Sequence, residues 1–109
     1  MSNVSNGPRS DAGPTEVSGV RRFRKKPVEI EAVQFKAGTG VEVARWCGGR
    51  YHEEAKPSDP LDVYRWVEIP TLEGNMRASL NDWIIRGVQG EFYPCKPTIF
   101  AATYDEVAA

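Results

Sequence analysis

Regular alternation of apolar and polar positions begins at Pro27, where Val28, Ile30 and Ala32 share one face and Glu29 and Glu31 the other. Val33 and Phe35 then take over the apolar role. That change of phase predicts a strand with a bulge near Ala32, or one buried on both faces at its end. Gly38-Thr39-Gly40 breaks the strand, and Thr39 is placed to cap a short helix over Val41–Cys47, with Val43, Trp46 and Cys47 at helical spacing. Gly48-Gly49 ends it. Residues 50 to 61 hold charge and two prolines and are expected to form a surface loop.

Val63–Ile69 is rich in β formers, with Val63, Val67 and Ile69 on one face. Glu73-Gly74-Asn75 offers turn chemistry that returns the chain into Met76, Ala78 and Leu80, making one hairpin. A second follows from Trp83-Ile84-Ile85 and Phe92-Tyr93, bracketed by Gly87 and Gly90. Pro97 suits the first turn of a helix, where its missing N–H costs nothing. Ile99, Phe100, Thr103, Tyr104 and Val107 then predict an apolar stripe lying across the sheet. The expected class is α+β, a largely antiparallel sheet of two hairpins plus an N-terminal strand, covered by a short helix and a C-terminal helix.

A chain of 109 residues holds one modest core, so a single domain over residues 23 to 109 is expected. Residues 1 to 20 carry only Val4, Val17 and Val20 as sizeable apolar side chains, which predicts a disordered tail, reaching residue 22 with the start of a basic arm. Arg21, Arg22, Arg24, Lys25 and Lys26 are that arm. Residues 1 to 26 carry +4 and residues 27 to 109 carry −5, which together give the net −1. The near-neutral total hides a basic arm on an acidic body. No apolar run approaches the roughly 18 to 20 residues of a membrane span. No secretory leader is recognisable, so action in the cytoplasm without membrane contact is expected.

Arg24–Phe35, Thr71–Asn75 and Asp82–Pro97, with Phe100 and Tyr104 beyond, resemble segments of a group of small, mostly uncharacterised proteins encoded by tailed bacteriophages and prophages, notably of actinobacterial hosts. The resemblance covers about half of the chain. That group usually carries Pro-Gly before its Asp-Trp, where this chain has Leu80-Asn81. Asn tolerates a positive φ nearly as Gly does, so the turn survives the change. The resemblance implies a phage origin and the host cytoplasm, and brings no established activity, cofactor or site residues.

Candidate chemistry is sparse. Cys47, His52, Glu53 and Cys95 are the residue types of a zinc site, but the paired short spacings of structural zinc are missing, and two thiols 48 positions apart read more simply as reduced cysteines. Cys95 with His52 could form a nucleophile and base, yet the chain has one His and no recognisable oxyanion loop. A non-enzymatic role without cofactor is expected. The aromatic content is the better clue, because Tyr64 and Trp66 share a face opposite Val63, Arg65 and Val67. They form a candidate surface for a host or phage protein or for self-association, unless the sheet is covered on both sides. The arm residues Arg21, Arg22, Arg24, Lys25 and Lys26 are candidate polyanion contacts, which makes a weak nucleic-acid-associated module the alternative and an unrecognised small enzyme the third choice.

Overall fold

The computed structural model describes residues 17–108. Most of the predicted tail, residues 1 to 16, lies outside them. Residues 17 to 30 form no helix or strand, and all are exposed except the half-buried Ile30. The ladder begins only at β1 (Glu31–Gln34), three residues after Val28. Val28 spends its N–H locally on the Lys26 carbonyl, 2.9 Å away. No bulge interrupts β1, whose register runs unbroken from Glu31 opposite Arg86 to Gln34 opposite Trp83.

Helix α1 (Gly40–Cys47) follows as expected and ends at Gly48, whose φ of 70° is the left-handed stop that glycine provides. Thr39 stands at the N-cap, but its hydroxyl accepts from the Lys36 N–H and donates to the Lys36 carbonyl instead of capping the helix. The expected loop is the clearest departure. Residues 50 to 56 form β2 (Arg50–Lys56), paired antiparallel with a long β3 (Asp59–Thr71). Its charge does not break the strand because it is answered across it. Arg65 lies 3.6 Å from Glu53, and Lys56 lies 2.8 Å from Asp62. Pro57 falls between the strands and Pro60 at the open start of β3, where a missing N–H is tolerated.

β4 (Gly74–Ser79), β5 (Trp83–Arg86) and β6 (Phe92–Cys95) complete the two expected hairpins, and α2 (Pro97–Thr103) closes the chain. The class is α+β with antiparallel strands throughout. The strands divide into two three-stranded sheets, ordered β1-β5-β6 and β2-β3-β4. The chain passes between them at Ser79–Asp82. There Asn81 adopts a φ of 75°, and the buried Asp82 accepts from the Ser79 N–H at 2.8 Å and from Lys96 at 3.0 Å.

The core sits between the two sheets and α1, built from Phe35, Val43, Cys47, Val67, Ile69 and Ile84. By alternation, Ile84 faces it while Trp83 and Ile85 face the far side of their sheet. α2 lies on that far side through Phe100, stacked on Trp83 with centroids 4.2 Å apart. The predicted apolar stripe is not laid down: no residue of α2 is buried, and Ile99 and Val107 are exposed. A seven-residue helix turns twice, and only Phe100, with Tyr104 just beyond, finds an aromatic partner. Among the described residues no helix is long and apolar enough to cross a membrane.

Candidate functional site on the open face of the β2-β3-β4 sheet

The central strand β3 turns Val67 and Ile69 into the core, which obliges Tyr64, Trp66 and Glu68 to project from the opposite face. α1 packs on the core side, and α2 belongs to the other sheet. Residues 50 to 56, expected as part of a surface loop, are β2, which extends the sheet edgewise and does not lie over this face. The face therefore stays open.

Register assembles it in rows. His52 and Ser79 flank Trp66, while Arg50 and Arg77 flank Glu68. The imidazole of His52 stacks on the Trp66 indole, with centroids 5.0 Å apart and planes 12° apart. The Arg77 guanidinium, from the strand on the other side, lies 4.2 Å over the same ring. Trp66 is thus gripped from both neighbouring strands and left half-buried.

Glu68 closes the cluster. His52 Nε2 donates to its Oε1 at 2.9 Å, and Asn75 Nδ2 donates to its Oε2 at 2.5 Å. These bonds, His52's first, hold the Glu68 carboxyl below its ordinary range. His52, Trp66, Glu68, Asn75, Met76 and Arg77 line a shallow depression of about 210 Å³. Tyr64 stands beyond it, 53% exposed, with the Lys56 ammonium 5.1 Å from its ring.

Of the predicted surface, Tyr64 is open, while Trp66 presents what His52 and Arg77 leave uncovered. Sequence reasoning missed Asn75 and Arg77 and treated His52 only as a ligand or base. A signal existed for Arg77: a two-residue turn at Leu72-Glu73 pairs Thr71 with Gly74 and so sets Arg77 opposite Glu68.

Cys47, His52, Glu53 and Cys95 are not drawn together. Cys47 is buried in the core, Cys95 is half-buried in the other sheet, and His52 and Glu53 alternate to opposite faces of β2. Burial pushes both thiols above their ordinary range. Among the described residues no three His, Cys, Asp or Glu side chains are grouped to hold a metal ion.

In the arm, Arg21, Arg22, Arg24, Lys25 and Lys26 are all exposed, and none makes an ion pair among the described residues. Lys25 is nonetheless engaged. Its ammonium sits 4.2 Å from the centre of the Tyr104 ring and donates to the Tyr104 hydroxyl, tying the arm to the end of α2. Arg21 lies over Phe23 at 5.3 Å. Compared with family models, with curated proteins and with solved structures, the chain finds no match in any of the three.

Proposed function

We propose that this is a non-enzymatic accessory protein of a tailed phage, acting in the host cytoplasm by binding a host or phage protein through the open face of the β2-β3-β4 sheet. Self-association through the same face is the other form of this activity. One observation carries the proposal: Tyr64 and Trp66 project from a sheet face that neither helix covers. A half-buried tryptophan held rigid by its neighbours has already lost much of its side-chain freedom, so a partner gains its contact area at low entropic cost. The depression at its foot offers a recess for a partner side chain.

Recognition of nucleic acid by the arm is the weaker reading, because Lys25 is engaged with Tyr104 and the body behind the arm carries −5. The discriminating experiment is affinity capture from infected host cells with the intact protein and its Trp66→Ala variant, alongside sedimentation over a concentration series. A partner or a self-associated species lost on Trp66→Ala supports the proposal. Identical captured species with both proteins, or only monomer and no captured protein, would overturn it.

A further inference from the structure

Among the described residues four strands stand at the margins of the two sheets: β1 and β6 in one, β2 and β4 in the other. One side of each backbone is left unpaired by the ladder, and a further strand adds there. The four differ in how they would meet a second copy of themselves. β1 carries one charge, Glu31, and β4 carries one, Arg77, while β6 carries none and holds Pro94. β2 alone has charges of both signs without an ion-pair partner among the described residues: Arg50 and Glu54, both exposed and, by alternation, on one face. Glu53 and Lys56, its other charges, are already paired with Arg65 and Asp62. The strand is also held in place, because Tyr51 meets Phe35 edge to face with ring centroids 6.0 Å apart and His52 stacks on Trp66.

We propose that the free edge of β2 is the interface for a second copy of this chain, the two β2 strands pairing antiparallel about a two-fold axis at His52. In antiparallel strands of identical sequence, residues equally far on either side of the axis stand opposite each other. An axis at His52 sets Arg50 of each copy opposite Glu54 of the other, which gives two unlike pairs. An axis at Glu53 sets two glutamates face to face and Arg50 against Lys56, across the register shift between Ala55 and Lys56. An axis at Glu54 again opposes two glutamates, and one at Tyr51 sets Arg50 against His52 and Glu54 against Gly48, outside the strand. Charge and the bulge thus select the same register. It also continues the rows of the sheet: Arg77, Glu68 and Arg50 are followed by Glu54 of the second copy, alternating in sign. The two His52 rings meet at the axis, each accompanied by the Glu68 carboxylate of its own chain. The joined sheets present one open face, with the two Trp66 residues on strands about 14 Å apart. This contact lies on the edge of the sheet and goes beyond the reading of its face as a binding surface; neither depends on the other.

The test is sedimentation of the intact protein from about 1 μM to about 1 mM, a range in which a dimer is expected to form. Arg50→Glu and Glu54→Arg should each weaken the dimer by about tenfold or more, because each sets like charges opposite one another. The two changes combined restore unlike pairs and should return the Kd to within about threefold of the parent, which also shows that neither single variant acted by misfolding. Glu29→Arg, the same charge change on an exposed residue outside both sheets, should leave the Kd within about twofold. Amide exchange over residues 50 to 54 should slow as the concentration rises and the edge becomes paired. A monomer throughout the range, a dimer indifferent to both reversals, or a combined variant no better than the single ones would overturn the proposal. So would a dimer lost with Trp66→Ala and kept with Arg50→Glu, an outcome that leaves the open face standing as the binding surface. In the converse case, a dimer that obeys the charge swap while Trp66→Ala captures the same species as the parent supports the edge contact and refutes the reading of the face.

Discussion

The His52 imidazole lies nearly parallel to the Trp66 indole, their planes 12° apart, while its Nε2 reaches sideways to Glu68 at 2.9 Å. One side chain thereby joins an aromatic contact to a charged one. Its position follows from register alone, because His52 is the residue of β2 directly opposite Trp66. The rigidity of the open face is built from such cross-strand neighbours and not from burial.

Trp66→Ala separates these contributions. Loss of an aromatic stack is worth about 0.5 to 1.5 kcal/mol and loss of a cation–π contact about 0.5 to 1 kcal/mol. The expected destabilisation is therefore about 1 to 2.5 kcal/mol, below the roughly 3 to 5 kcal/mol of a fully buried aromatic. Urea denaturation of both proteins measures it. A loss of the full core magnitude would mean that Trp66 supports the fold and has little surface left for a partner.

Glu68 makes the face sensitive to acid. Its carboxyl is held below the ordinary value of 4.5, first by the hydrogen bond from His52 and then by that from Asn75. A depressed carboxylate contributes stability that is present above its unfolded pKa and lost as pH falls through the folded one. The loss therefore belongs below about pH 4.5. Glu68→Gln should be less stable than the parent near neutrality and should lose less on acidification. Asp62, lowered by Lys56, continues to titrate in both proteins and sets the remaining slope. Parallel melting curves down to acid pH would show that the His52–Glu68 contact contributes nothing.

The opposite sign holds for Tyr93. Burial, then the neighbouring Tyr104 hydroxyl, pushes its phenol from 10.0 up to about 12. A raised pKa means stability that is complete below the unfolded value and is lost as pH rises through the folded one. Alkaline destabilisation should therefore set in above pH 10.0 and deepen toward about 12. Tyr93→Phe keeps the ring and removes the titration, so its stability should fall less steeply over that window. Tyrosinate absorbance followed through the same titration should show one phenol fewer ionising late. An unchanged alkaline profile would assign the transition to other groups.

Both hairpins were legible because their turns and their β-branched or aromatic runs point to one structure. The first reversal falls at Leu72-Glu73, one residue ahead of the expected Glu73-Gly74-Asn75, and the second lies within the Gly87–Gly90 bracket. β2 was not legible, since Glu53, Glu54 and Lys56 alternate with too little apolar content to mark a strand. Its stabilisation comes from Arg65, Asp62 and Trp66 on another strand, which no local window contains. The same blindness concealed half of the candidate site. Tyr64 and Trp66 followed from alternation on their own strand, but His52 could be placed beside Trp66 only once β2 was known to pair with β3. α2 was overextended for a different reason: the helical spacing of Ile99 and Val107 is real, but no element of the fold lies where it could bury them.

The corner between the two sheets turns on Asn81. Its φ of 75° lies in the left-handed region, which Asn and Gly enter readily and which a β-branched residue resists. Around it the Asn81 N–H donates to the Phe35 carbonyl at 2.7 Å, and the Gln34 amide donates to the Asn81 carbonyl at 2.9 Å. These bonds join the end of β1 to the start of β5, so the backbone cannot relax out of the left-handed region without surrendering them. Asn81→Gly keeps every one of those bonds, because all of them use the backbone of residue 81. It should leave stability within about 0.5 kcal/mol, because glycine enters the left-handed region without a Cβ clash. Asn81→Val keeps the same N–H and carbonyl but forces a branched Cβ into that conformation, and should cost about 1 to 3 kcal/mol. Denaturant melts of the two variants against the parent measure the difference directly. Equal stability of Asn81→Val and Asn81→Gly would show that the corner is held by the Asp82 contacts with Ser79 and Lys96, and not by the conformation of residue 81.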